Sequence, residues 1–371
     1  MKRIVLFTPF APTTGGGQIL RSALPHLKDV EITWAYLSPR PVEFPNSVHL
    51  GQPLINGPLL GSLVTMATLC LGHHQKLESV VEKLLSLEAD KYWIVAHHEG
   101  ATVAEMLMKN NQLIHISFHD DPPRGVLGRS QRFCLLAGLG EGQLKRLLKR
   151  AASVDAASPM LAARYQSLYG RNPFVCSPYI DTLPKLAQPC DDGVIRIGFS
   201  GSLFSPREAR VFGRALKIAQ DRARKTIEWH FWGLNAIQRA WVESFPYAVF
   251  HPSVPEEELV RELSAMNVLY LACPFDKTSA VYRQTSLPIK LVTYLKAQRP
   301  IFAHTPVPSA PAEFVSKTGT GLISSSTSAS ELVQLLIVLL TTPLSPTVFQ
   351  LARDGWYGPE NLKRLNEALL T

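Results

Sequence analysis

Cysteine is scarce in this chain of 371 residues, which contains only five. They are scattered, and no two stand at the CxxC spacing that is typical of a zinc site or a redox couple. This usage favours a reducing compartment, which we expect to be the cytoplasm. The five positions are Cys70, Cys134, Cys176, Cys190 and Cys273.

The chain also lacks a long hydrophobic run. Its most apolar stretch is Leu59–Leu71 (LLGSLVTMATLCL), which is shorter than the roughly 20 residues of a membrane-spanning helix. This stretch therefore predicts a buried or surface-docking helix. The first residues, MKRIVLFTPF, have a basic start but no small-residue cleavage site, so they predict a first β-strand and no secretion.

Length, hydrophobic content and charge set the broad class. The chain is too long for one ordinary core and suits two α/β domains, and its 46% hydrophobic content is ample for burying both cores. A formal charge of +8 favours an anionic partner: nucleotide phosphates, a nucleic acid or an acidic membrane face. A nucleic acid is the least favoured of these, because no basic, aromatic-studded motif accompanies the charge.

A glycine-rich turn, Thr13–Gln18, connects the strand Arg3–Pro9 to a helical pattern. Glycines in such a turn allow backbone amides to approach a phosphate or a sugar closely. The spacing matches neither GxGxxG nor GxxxxGK, so a plain tight turn remains the alternative.

Two polar clusters follow the next strands. His97–Glu99 follows the strand Tyr92–Ala96, and His119–Asp121 ends the strand that begins at Leu113. The carboxyl ends of parallel strands meet at one edge, so both clusters are expected beside Gly15–Gly17. No HExxH spacing supports zinc, and we expect no bound metal.

His119 is the favoured catalytic candidate within these clusters. An imidazole can transfer a proton or form a hydrogen bond near neutral pH, and the adjacent Asp120 could orient it. The alternative is a surface histidine beside a helix that is capped by Asp120 or Asp121.

Residues 140–152 (GEGQLKRLLKRAA) predict a basic amphipathic helix. Such a helix can rest on an anionic bilayer, or its cations can simply form the solvated face of a core-packed helix. Further along, Thr182–Gly193 contains two prolines and no periodic pattern, which predicts a linker. We therefore expect a first domain over residues 1–181, a second over 194–345, and terminal helices over 346–371 that pack back on the first.

The second domain repeats the strand, turn and helix arrangement. The strand IRIGFS leads into Gly201 and Ser202, and a helix begins near Pro206 with Arg207 positioned for a phosphate. After the strand Val268–Ala272 and a polar loop, Ser286–Lys290 opens another helix. Ser286 is expected to cap this helix, and Lys290 adds a cation where unpaired N–H groups favour an anion. The alternative is an ordinary capped helix.

Several motifs, in their order, resemble one enzyme family. These are GGGQ after the first strand, SFHDD, ASVDAASPMLAARYQSLYG, GFSGSL, VFHPSVPEEELVRELSAMNVLYLACPFD, SLPIKLVTYLKAQRPIFAH and GTGL. Nearly the whole chain is similar to the nucleotide-sugar glycosyltransferases of the GT-B fold, in particular the large retaining family 4. The resemblance implies an α/β protein with two Rossmann-like domains facing a central cleft, and transfer of a sugar from a nucleotide-diphosphate sugar without a cofactor or metal.

The resemblance also implies roles for particular residues. His119, with Asp120 beside it, would lie near the reacting sugar. The donor would be bound by Gly16, Gly17, Gly201, Ser202, Arg207, Ser286, Lys290 and Thr293.

This sequence departs from the family at a glutamate pair. Thr285 and Thr293 occupy the positions where the family usually has glutamates, and a threonine cannot make the same charge-assisted bonds to a ribose. A second hypothesis is therefore an inactive GT-B protein that acts as a partner or scaffold of a glycan-assembly enzyme. The acceptor is unidentified, and the apolar and basic helices of the first domain suggest a lipid-linked one at the inner membrane face.

Overall fold

A computed structural model describes residues 1–55, 59–185 and 192–371. The chain divides into two compact units that do not follow a single cut in the sequence. Unit 1 comprises Met1–Tyr179, Thr278–Ser286 and Gly358–Thr371, and unit 2 comprises Ile180–Lys277 and Leu287–Tyr357.

Each unit is built around one parallel sheet. In unit 1 the strands are β1 (Lys2–Thr8), β2 (Val30–Leu37), β3 (Ser47–Gly51), β4 (Lys91–Val95), β5 (Ile114–Phe118), β6 (Ser153–Ala156) and β7 (Phe174–Val175). In unit 2 they are β8 (Ile195–Ser200), β9 (Ile227–Trp232), β10 (Ala248–His251), β11 (Val268–Ala272), β12 (Ile301–His304) and β13 (Gly321–Ser324). The strand orders are β3-β2-β1-β4-β5-β6-β7 and β10-β9-β8-β11-β12-β13.

Helices connect the strands, as parallel pairing requires. In chain order they are α1 (Gly15–Ala23), α2 (Leu59–Cys70), α3 (Glu78–Leu85), α4 (Glu99–Lys109), α5 (Ala137–Arg150), α6 (Pro159–Tyr169), α7 (Pro206–Ala223), α8 (Ala236–Ala240), α9 (Glu256–Ser264), α10 (Ala280–Thr285), α11 (Lys290–Ala297), α12 (Ala310–Thr318), α13 (Ala329–Thr341), α14 (Pro346–Tyr357) and α15 (Pro359–Leu370).

The central strands are buried on both faces, so their side chains alternate between two cores. In β1, Val5 and Phe7 belong to the core formed with α2 to α6, whereas Ile4 and Leu6 belong to the core that contains α1 and α15. In unit 2, one core contains α7 and α13, and the other contains α11, α12 and α14.

The last helix, α15, is part of the core of unit 1. Leu365 and Leu369 are buried with the first-strand residues on one face of the sheet. Two lysines bond the carbonyl groups at its carboxyl end: Lys91 Nζ donates to Ala368 O at 2.8 Å and Lys2 Nζ donates to Leu370 O at 2.7 Å. These cations satisfy carbonyls that have no intrahelical partner.

The predicted basic helix corresponds to α5, and its four cations have different surroundings. Arg146 Nε donates to Oε1 of the buried Glu105 at 2.6 Å, and Arg150 Nη2 donates to Met108 O at 2.9 Å. Lys145 and Lys149 are exposed. Two of the four cations of the predicted basic face therefore form hydrogen bonds within the protein, and the other two are exposed.

Three local predictions are wrong. Turn-forming residues predict a surface loop over residues 41–53, but Ser47–Gly51 is a strand that pairs in parallel with β2 at the sheet edge. The polar loop after β11 contains helix α10, whose segment Thr278–Ser286 belongs to unit 1. The next helix begins at Lys290 and not at Ser286, because Ser286 has another bonding partner described below.

The unit boundaries also differ from the predicted domain boundaries. The predicted terminal helices separate, since α14 belongs to unit 2 and α15 to unit 1. Unit 2 already begins at Ile180, which is buried and whose N–H donates to Tyr357 O at 2.9 Å. Residues 186–191 of the predicted linker, including Cys190, lie outside the described residues.

No single helix among the described residues is both long and apolar enough to cross a membrane. The pair Ala329–Thr341 and Pro346–Leu370 passes that test together but is bent by 105°.

Candidate functional site

Polar side chains gather at the carboxyl ends of β4 and β5, which are neighbours in the unit 1 sheet. Burial lowers the pKa of His97, and the Asp120 carboxylate only partly offsets this effect. Burial also lowers the pKa of His119, against the opposing effects of Asp155 and Asp120. Both imidazoles are therefore neutral near pH 7 and can each donate and accept one hydrogen bond.

Asp120 holds a distant segment in place. Ser286 Oγ donates a hydrogen bond to Asp120 Oδ1 at 2.5 Å, and Ser158 Oγ donates to Thr285 O. These bonds connect the Thr278–Ser286 segment to the ends of β5 and β6. The prediction that Ser286 caps the following helix is wrong for this reason, and Ile289 precedes α11 without a side-chain cap.

Asp121 has a structural role. Its Oδ1 accepts from Arg124 N at 3.2 Å, and its Oδ2 forms an ion pair with Arg164 Nε at 2.5 Å. It precedes a π-helical turn over residues 122–127. The helix-cap alternative is thus correct for Asp121, whereas Asp120 bonds to Ser286.

His98 has an unusual backbone conformation, with φ 45° and ψ −114°. Its ring centroid lies 4.0 Å from that of His97, and burial lowers the pKa of His98 to about 3. Glu99 is buried, and its Oε1 accepts from Leu54 N at 2.7 Å. In the described parts of the chain, no three His, Cys, Asp or Glu side chains form a group that could hold a metal ion.

The three glycines near the amino terminus form the first turn of α1, not the turn that precedes it. A Cβ at Gly17 would lie 2.1 Å from Pro12 O, so this glycine is required by close backbone packing. A Cβ at Gly16 would lie 3.0 Å from the Phe10 ring, while Gly15 has open space beside it. Gly17 thus serves packing, and the exposed Gly15 leaves the helix amino terminus accessible.

In unit 2, Lys290 lies beside the loop that follows β8. Its Nζ donates to Ser202 O at 3.1 Å and lies 3.8 Å from the centroid of the Phe199 ring. Burial lowers the pKa of Lys290 to about 7. An anion bound here would favour the charged ammonium, because an opposite charge offsets the loss of hydration.

The loop Gly201–Ser205 leads directly into the long helix α7. Gly201 has φ +73°. Its Cα lies close to Gly233, which follows the neighbouring strand: a Cβ added at Gly233 would lie 3.8 Å from the Gly201 Cα. Ser205, only 1% exposed, has a side-chain Oγ without a hydrogen-bond partner. Arg207 is exposed in the first turn of α7. The amino terminus of α7, with Lys290 bonded to the preceding loop and Arg207 in the first turn, suits an anion.

Sequence reasoning missed Ser205 and Tyr294. Tyr294 Oη donates to Tyr270 O at 2.9 Å and accepts from Ser200 N at 3.2 Å, which fixes α11 against the ends of β8 and β11. The signal for Ser205 was its place directly before Pro206, a common helix start. Nothing in the local sequence signals the role of Tyr294.

The two threonines at the family's glutamate positions have different surroundings. Thr285 belongs to unit 1, and its Oγ1 donates to Val281 O at 2.7 Å within α10. Thr293 belongs to unit 2 and is buried in α11. Of the predicted donor residues, the structure brings Gly201, Ser202 and Lys290 together, whereas Gly16, Gly17 and Ser286 belong to unit 1.

No protein-family model matches the sequence, and no curated protein matches it. Solved structures do match. Anabaena HepE in complex with UDP and glucose superposes with a TM-score of 0.68 at 12% identity, covering 100% of both chains. The trehalose-6-phosphate synthase OtsA gives 0.67 at 13% identity, covering 99% of this chain and 98% of its own.

A third structure is S. aureus TarM in complex with Fondaparinux, alpha-GlcNAc-glycerol and UDP, with a TM-score of 0.59 at 11% identity. The match covers 80% of this chain and spans only 59% of TarM. At these identities the likeness establishes the fold and no more. With two α/β units, each built on one parallel sheet, the chain has the two-domain, Rossmann-like GT-B fold of the nucleotide-sugar glycosyltransferases.

Proposed function

We propose that the protein is a glycosyltransferase that moves a sugar from a nucleotide-diphosphate sugar to an acceptor. The observation that carries this proposal is the anion site of unit 2, where Lys290 Nζ bonds to Ser202 O in the loop that leads into the amino terminus of α7. Three of the similar structures contain UDP or are named as UDP-forming synthases, which supports a uridine nucleotide as the donor.

In the proposed reaction, the bond between sugar C1 and the diphosphate oxygen breaks, and a bond between C1 and an acceptor hydroxyl oxygen forms. The acceptor proton leaves with the nucleoside diphosphate. Lys290 and Arg207 stabilise the negative charge that develops on the leaving group, which is the task that a metal ion performs in other transferases. We therefore propose a metal-independent reaction without a further cofactor.

His119 is assigned a hydrogen-bonding role towards the sugar, because its neutral imidazole can both donate and accept. Asp120 is a positioning residue that holds Ser286. Retention of configuration and membership of family 4 rest on the sequence resemblance alone. A retaining product from a purified transfer reaction, read by NMR of the anomeric proton, tests this part of the proposal.

Calorimetric titration with UDP, GDP, ADP and TDP tests the donor site. We expect one nucleotide to bind selectively, and Arg207→Ala and Lys290→Ala to weaken it. Arg214→Ala is a matched control, because Arg214 is exposed on the same helix two turns further along. If none of the four nucleotides binds at millimolar concentration, the donor assignment is wrong.

We propose a lipid-linked acceptor, used by a cytoplasmic protein at the inner face of the membrane. Exposed apolar side chains in and near α2 and α5 support this: Leu135 is 92% exposed, Val64 60% and Leu139 41%. Leu135→Ser is expected to reduce sedimentation with phosphatidylcholine vesicles and to leave UDP binding unchanged. Equal sedimentation of both proteins would favour a soluble acceptor.

A catalytically inactive scaffold is the second candidate. It is favoured by Thr285, whose hydroxyl is bonded within α10 and cannot replace a carboxylate. Selective UDP binding without transfer to any acceptor, and without hydrolysis of the sugar nucleotide, would support this function over the first.

A further inference from the structure

A second basic site lies in unit 1, between α5 and the end of α6. An open pocket of about 480 Å³ is lined there by Lys145, Lys149 and Arg171, together with Leu148, Leu168 and Tyr169. Ligand clefts in proteins have volumes of roughly 300–1,000 Å³, so this pocket is large enough for a small molecule or a headgroup. We refer to it as the Lys145 pocket.

Among the described residues, no carboxylate forms an ion pair with the cations of the Lys145 pocket. None of the described residues that line it is acidic. Glu141 is close enough to Lys145 to interact with it electrostatically, but its Oε1 already accepts from Arg124 Nε at 2.6 Å. Lys145 and Lys149 have no ion-pair partner in the described part of the chain. Three cations therefore share one concave surface.

The Arg171 side chain is held by a hydrogen bond to the backbone. Its Nη2 donates to Ala151 O at 3.0 Å, which fixes the guanidinium at the pocket edge. A fixed guanidinium with two mobile ammonium groups suits the oxygens of a phosphate. Leu168 is 50% exposed and offers an apolar contact to the organic part of a ligand.

The Lys145 pocket is remote from the strand ends at which His119 lies. Helix α6 begins directly after Ser158 at the carboxyl edge of the sheet and ends at Tyr169, shortly before β7 begins at Phe174. Its eleven residues span about 16 Å, so the pocket lies near the opposite edge. It is therefore separate from His119 and the other polar side chains at the carboxyl ends of β4 and β5.

We propose that the Lys145 pocket binds a phosphate monoester, carried either by an anionic phospholipid or by a soluble phosphorylated molecule. The two sources are distinguished with phosphatidic acid, mixed into phosphatidylcholine vesicles, and with glycerol 3-phosphate, the soluble molecule that remains when both acyl chains of phosphatidic acid are removed. Vesicle sedimentation at low salt measures the first, and calorimetry measures the second.

The double variant Lys145→Gln/Lys149→Gln is expected to bind the probe about 30-fold more weakly, because each cation contributes a factor of roughly five to the affinity for an anionic group. The control is Lys76→Gln/Lys83→Gln, which removes the same charge from exposed positions of unit 1 outside the pocket. It should bind like the wild type. Melting temperature and UDP titration show whether each variant is folded and whether the donor site is intact.

Binding of phosphatidic acid vesicles alone would identify a lipid source, and binding of glycerol 3-phosphate a soluble one. The proposal is overturned if neither probe binds, or if the control variant loses as much affinity as the pocket variant. The latter result would show an effect of net charge only. Because UDP binding is measured separately, failure here is distinguishable from failure of the proposed transferase function.

Discussion

The titration of Lys290 makes a specific prediction about nucleotide binding. Burial lowers the pKa of its ammonium group to about 7 in the free protein. If a diphosphate binds only the charged form, affinity falls as the pH rises through this value. The charged fraction is about nine-tenths at pH 6 and about one-tenth at pH 8, so UDP should bind about tenfold more weakly at the higher pH.

Lys290→Arg separates this effect from the titration of the nucleotide itself. The terminal phosphate of UDP loses a proton near pH 6, which alone would strengthen binding as the pH rises. Arginine stays charged throughout, so the variant retains only the nucleotide contribution. The difference between the two pH profiles, measured by calorimetry, should approach one power of ten. Identical profiles would refute the assignment of Lys290 to the diphosphate.

The same group also affects folding stability. The unfolded chain has a lysine pKa near 10.5, so between about pH 7 and about pH 10.5 the unfolded state binds more protons than the folded state. Stability contributed by this group therefore increases as the pH rises through that window. Lys290→Met should remove the increase, which urea unfolding at several pH values will detect.

Three further predictions concern packing and polar contacts. Gly17→Ala should destabilise the protein by about 2–3 kcal/mol because its Cβ would collide with Pro12 O, whereas Gly15→Ala, with open space, should change stability by less than about 1 kcal/mol. Arg146→Ala should lower the free energy of unfolding by about 2–3 kcal/mol, because it removes the guanidinium that is bonded to the buried Glu105 carboxylate. Lys149→Ala should change it by no more than about 0.5 kcal/mol, and thermal melting compares the two variants. Ser286→Ala should cost about 1–2 kcal/mol and accelerate amide exchange in residues 278–286, and unchanged exchange there would contradict the role given to its bond with Asp120.

Elements with several agreeing local signals could be predicted from the sequence. The sequence predicts a helix from Pro159 to Tyr169, and α6 has the same bounds. Ser158 accepts from Leu161 N at the start, Pro159 occupies the first turn, and Gly170 adopts φ 66° at the end. The strand Ile195–Ser200 was predicted residue for residue, since a short apolar run is followed by a glycine with φ +73°. Such strands and helices alternate along the chain, as in the two α/β domains that its length suits.

Features that depend on distant contacts could not be predicted. Helix α10 has only six residues, too few for a periodic pattern, and its segment is held by the Ser158 and Asp120 contacts from earlier in the chain. The contact between Lys290 and Ser202 joins residues 88 positions apart. Strand order predicts which ends share an edge, but only the folded side chains show that Ser286 bonds to Asp120 and does not cap a helix.

The position of α15 has a consequence for synthesis on the ribosome. The first strand of unit 1 emerges long before α15, yet the face that carries Ile4 and Leu6 is partly covered by Leu365 and Leu369 of that helix. Until those two leucines have been translated, the part of the face that they cover stays open to water and to chaperones. Unit 2 ends at Tyr357 and can close earlier. Unit 1 therefore begins before unit 2 in the chain but is completed after it.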